Sequence, residues 1–69
     1  MDFTEKARIR IDHWSKHVDV HLKEYEKFAD ELEGEGNRES ARHIREMAEL
    51  TARTAGCLDN ALLSLSKAQ

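Results

Sequence analysis

The chain has no proline, a single cysteine and three glycines in 69 residues, and its only aromatics are Phe3, Trp14, Tyr25 and Phe28. Each scarcity excludes something. One cysteine cannot staple a fold, so the chain reads as belonging to a reducing compartment, and the expected location is the cytoplasm. No stretch approaches the ~18 consecutive apolar residues of a membrane span. The start Met1-Asp2 lacks a basic region followed by an apolar one, so no signal peptide is read there. A formal net charge of −3 offers no general electrostatic reason to bind nucleic acid or anionic lipid. So short a chain allows one small domain with a small core.

What the sequence does have is periodicity. Gly34-Glu35-Gly36-Asn37 is the only strong breaker cluster, and it divides the chain almost equally. Upstream, Thr4, Ala7, Ile11, Trp14, Val18, His21, Tyr25, Phe28 and Leu32 recur at steps of three and four. Downstream, Ala41, Ile44, Ala48, Thr51, Ala55, Leu58, Leu62 and Leu65 do the same. This is the pattern of helices that each turn one seam toward a partner. Asp2 with Glu5 can form a capping box, Gly34 or Gly36 can end the first helix, and Asn37 can cap the second. The sequence thus predicts an all-α antiparallel two-helix hairpin in a single domain over 1–69. Helix 1 spans about 3–33, the turn 34–37 and helix 2 about 38–66.

The two seams differ in bulk. Helix 1 would present Trp14, Tyr25 and Phe28 to the small residues Ala41, Ala48, Thr51 and Ala55 of helix 2. In that register Trp14 lies near Ala55 and Gly56, and Gly56 gives clearance for the indole. Met47, Leu50, Thr54, Cys57 and Ala61 widen the apolar face of helix 2, and Leu22 and Ala29 widen that of helix 1. A stripe broader than one seam calls for another layer. The expected partner is a second copy, giving a homodimeric four-helix bundle.

One feature is chemically unusual. His13, His17 and His21 stand at i, i+4 and i+8, with Glu24 three residues further on. Imidazoles four apart share a helix face and can share one metal ion, and a carboxylate one turn on can add an oxygen ligand. Such nitrogen and oxygen sets suit Zn, Ni, Cu or non-haem Fe. The plainer alternative makes His21 a core histidine bonded to Thr51 or a backbone carbonyl, with His13 and His17 solvated. Asp12 and Asp19 could orient imidazoles, or pair with Lys16 and Lys23 on the surface.

Other chemistry is thin. His43-Ile44-Arg45-Glu46 fits the inward Glu-x-x-His pattern of di-iron bundles poorly. Cys57 has no sequence-adjacent base and reads as a small packing residue. Arg38, Arg42, Arg45 and Arg53, interleaved with Glu39, Glu46 and Glu49, read as surface ion pairs. No phosphate loop or nucleophile elbow is present.

His13-Trp14 followed by His17, His21 and Tyr25, then a glycine turn and an alanine-rich second helix, resembles a small prokaryotic His-Trp helical-hairpin domain of unknown function. That domain occurs alone or appended to small nickel-binding accessory proteins. The resemblance runs from about Ile11 to Leu65. It implies a metal link for His13, His17 and His21 and no known catalytic activity, and His43 has no counterpart in it. Two functions follow as expectations. The first is a non-catalytic metal-binding or metal-handling protein, with His13, His17, His21 and Glu24 as ligands for nickel or zinc and a metal-accessory protein as a further partner. The second is a structural or protein-interaction module without metal, in which the apolar face of helix 2 is the working surface.

Overall fold

A computed structural model describes residues 2–67, so the two ends of the 1–69 domain lie outside the described residues. Two helices make up the structure, α1 (Phe3–Gly34) and α2 (Arg38–Lys67), packed against each other as an antiparallel hairpin. The molecule measures 51 × 17 × 10 Å, which is one layer of two helices.

Local chemistry fixes the ends. The Asp2 carboxylate accepts a 2.9 Å hydrogen bond from the Glu5 amide, satisfying one of the free donors at the start of α1. At the other end Gly36 adopts φ 87°. Its amide donates to the Glu33 carbonyl at 3.0 Å, and the Asn37 amide donates to the Leu32 carbonyl at 2.8 Å. That pair of bonds is a Schellman motif, which needs a left-handed residue and therefore favours glycine. Gly36, rather than Gly34, is the residue that turns the chain.

The seam of α2 contains the expected residues, whereas that of α1 is displaced at alternate positions. Ile11, Val18, Tyr25 and Leu32 face inward, but Ser15, Leu22 and Ala29 take the places expected for Trp14, His21 and Phe28. Trp14 and Phe28 are half exposed, at 51% and 50%. The cause is size. The most deeply buried residues are Ala29, Ala41 and Ala48, so the helices meet through small side chains, and bulky rings would hold them apart. The rings lie beside the seam instead. The proposed clearance at Gly56 is likewise overturned, because a β-carbon there would meet nothing within 4 Å.

Candidate functional site

The hairpin has two dissimilar sides. On one, Arg45 of α2 reaches across to α1, donating to Glu33 at 2.5 Å and to Asp30 at 3.0 Å. These two carboxylates raise the Arg45 pKa above its ordinary value. The open groove beside them is lined by Leu22, Glu26, Arg45, Ala48, Glu49 and Ala52. The contact also orients the molecule, since it shows which flank of α1 shares a side with which flank of α2.

At 100° per residue, the opposite flanks also coincide, and each carries its own three-four repeat. On α1 the series is Phe3, Ala7, Arg10, Trp14, His17, His21, Glu24 and Phe28. On α2 it is Ser40, His43, Met47, Leu50, Thr54, Cys57 and Ala61. Each helix therefore has a second seam, and both open on the same side; that of α1 is interrupted by Arg10, His17, His21 and Glu24. The large apolar residues there are uncovered: Trp14 and Phe28 on α1, and Leu50 on α2 at 61% exposure. The free Cys57 is exposed on this side as well.

The histidines of α1 lie along this second seam, and all three are exposed. His21 is thus no core residue, and Thr51 is not its partner, since the Thr51 hydroxyl donates to the Met47 carbonyl at 2.9 Å. The Nδ1 of His21 lies 3.1 Å from Glu24 Oε1, and its ring stacks at 6.0 Å on Tyr25. With Nδ1–H donated to the carboxylate, Nε2 is the nitrogen left to act as a base or ligand. The His13 and His17 rings stand edge to face with centroids 4.4 Å apart. Glu24 is therefore engaged with His21 rather than gathered with all three imidazoles. Among the described residues, no three His, Cys, Asp or Glu side chains are placed to hold a metal ion within one chain.

Other ion pairs are local. Lys16 meets Asp12 at 3.1 Å, and Arg42 bridges Glu39 and Glu46 on α2. His43, on the second seam of α2, sits 3.6 Å from Glu39 and 3.7 Å from Glu46. The cross-helix role of Arg45 escaped the sequence reading, which treated it as one member of a surface strip. Its signal was the pair Asp30 and Glu33, one turn apart at the end of α1 and level with Arg45 once the chain folds back.

Residues 7–65 match a family described as a domain of unknown function, DUF8180, and the chain belongs to it. Neither the curated proteins nor the solved structures contain a match. Among the described residues no helix is long and apolar enough to cross a membrane.

Proposed function

We propose that this protein is a non-catalytic helical interaction module that associates with a second copy of itself through the doubled seam, forming a four-helix bundle. The observation that carries this reading is the coincidence of two heptad seams, one per helix, on a single uncovered side. A lone hairpin would leave Trp14, Phe28 and Leu50 in water. Fully burying such a side chain is worth about 1.5–3 kcal/mol.

The surface area supports the same reading. The chain exposes 5452 Å², whereas a compact monomer of this mass would expose roughly 4,450 Å². The excess, on the order of 1,000 Å², is close to the ~800 Å² that each partner contributes to a stable interface. Sedimentation equilibrium tests the proposal. The native chain should behave as a dimer at micromolar concentration, and Leu50→Glu should shift it to monomer. A native chain that stays monomeric at 100 μM (roughly a 10⁴ M⁻¹ ceiling on association) would contradict it.

A second reading, metal handling by the histidine stripe, is favoured by one specific geometry. The His13 and His17 rings stand 4.4 Å apart, and His21 is held by a carboxylate on its Nδ1, the arrangement that commonly orients a metal-ligating imidazole. Native mass spectra of untagged protein, recorded with and without added Ni(II) or Zn(II), test it. Retained stoichiometric metal supports the reading; weak, heterogeneous adducts count against it.

A further inference from the structure

The groove on the Arg45 side is open, and two features of it go unused within the chain. The first is its charge. Leu22, Ala48 and Ala52 form an apolar floor between Glu26 of α1 and Glu49 of α2. Arg45, the one cation in the lining, is occupied by Glu33 and Asp30. Among the described residues neither Glu26 nor Glu49 has a side-chain hydrogen bond or ion pair. Lys23 and Arg53 do not neutralise them. At 100° per residue each lies further from the seam than the carboxylate of its own helix, and neither lines the groove. The apolar strip therefore runs between two carboxylates that the chain leaves unpaired.

The second feature is Gly56. Ala48, Ala52 and Gly56 follow one another at four-residue steps, a row that leaves the seam and turns onto the Arg45 side of α2. Glycine is the poorest helix former after proline, and nothing in the hairpin requires it here, since a β-carbon would meet nothing within 4 Å. A row of small residues has a use when another backbone comes close, because side-chain size at the contact sets the spacing of packed helices. A groove between two helices also runs straight along both, which suits a third helix laid into it. We infer that this groove seats a helix of a partner protein, one whose small apolar face is bordered on both edges by lysine or arginine. Its apolar face rests on Leu22, Ala48, Ala52 and Gly56, and its edge cations pair with Glu26 on one wall and Glu49 on the other. Opposite charge along the edges of an apolar strip selects such a partner over a neutral or acidic one. The self-association proposed above uses the other side of the hairpin, so the groove stays open in the dimer and this inference does not depend on that one.

A synthetic helical peptide of alanine and leucine, with lysines along both edges of its apolar face, is the probe. It is added to the isotopically labelled full chain and followed by amide chemical shifts. The expected result is shifts concentrated at Leu22, Ala48, Ala52 and Gly56, with Trp14 and Leu50 unmoved. Ala52→Leu fills the groove and should abolish the shifts while the helical circular dichroism persists. Glu26→Gln with Glu49→Gln should weaken binding roughly tenfold at low salt and much less at high salt. The same peptide with glutamate in place of lysine should not bind. A lysine peptide that leaves the groove amides unmoved, that shifts Trp14 and Leu50 instead, or that binds the glutamine variant as tightly as the native chain overturns the inference. Equal shifts from spermidine alone would make the groove a site for small cations and overturn it as well.

Discussion

The two sides of this hairpin solve different problems with the same helical repeat. Along the Arg45 side, charge crosses from one helix to the other, and the groove next to it is lined by Glu26 and Glu49 as well as Leu22 and Ala48. Polar groups there are paired within the chain or open to water, so nothing further is needed to cover them. On the opposite side Trp14, Phe28 and Leu50 stand half or more exposed, with no charged side chain on the α2 seam. A helix that is apolar over more than one seam has more than one neighbour. The proposed bundle rests on this contrast: one side of the hairpin is paired within the chain, and the other leaves large apolar side chains uncovered. The contrast also shows why the residues of interest gather on one side: the seam within the chain is filled by small residues, and the large and chemically versatile ones lie beside it.

The largest effect should come from attacking the uncovered side. Trp14→Glu combined with Leu50→Glu should convert dimer to monomer and lower the helical circular dichroism, because a lone two-helix layer has little core. Sedimentation velocity reads the mass, and far-ultraviolet spectra read the helicity. Placing the same charge at Ala52, on the Arg45 side, should leave the dimer intact.

Next in size is the seam between the helices. Ala48 is 5% exposed, and Ala48→Leu should destabilise by about 1–3 kcal/mol through overpacking. Ala52→Leu, in the open groove, should change little. Urea denaturation compares the two.

The glycines should respond in opposite directions. Gly36 holds φ 87°, so Gly36→Ala should cost about 1 kcal/mol or somewhat more. Gly56 lies inside α2 with open space where a β-carbon would go. Gly56→Ala should therefore stabilise by about 0.8–1 kcal/mol, and thermal melts of both variants check the signs.

The smallest effect belongs to Arg45. Its raised pKa is due to Glu33 and Asp30, and a pKa raised on folding contributes stability while the guanidinium is charged, which covers the whole working pH range. The pair is solvent-facing, so Arg45→Ala should lower the melting temperature slightly at low salt and hardly at all at high salt.

The broad fold was legible because spacing and breakers carry it. The three-four repeats gave two helices, and the single glycine cluster made them antiparallel. The register of α1 was less accessible. Both Trp14 and Ser15, and both His21 and Leu22, satisfy a three-four spacing with Ile11, Val18 and Tyr25. Periodicity alone cannot choose between stripes one residue apart. Bulk decided it, because the alanines of α2 admit Ala29 and Ser15 more closely than Phe28 and Trp14. Choosing the aromatic stripe as the inner seam also hid the fact that the histidines lie on an outer one. The bond from His21 to Glu24 could be anticipated from the i, i+3 spacing. The Arg45 bridge could not, since it depends on how far the chain folds back.

The most direct test of the account is a distance between protomers. With Cys57→Ser and a spin label on a cysteine introduced by Phe3→Cys, pulsed dipolar spectroscopy measures how far apart the two starts of α1 lie. Association through the uncovered side puts both labels within one bundle the length of a hairpin, 51 Å, so a defined dipolar distance is the result predicted here. The absence of any dipolar coupling would contradict the dimer.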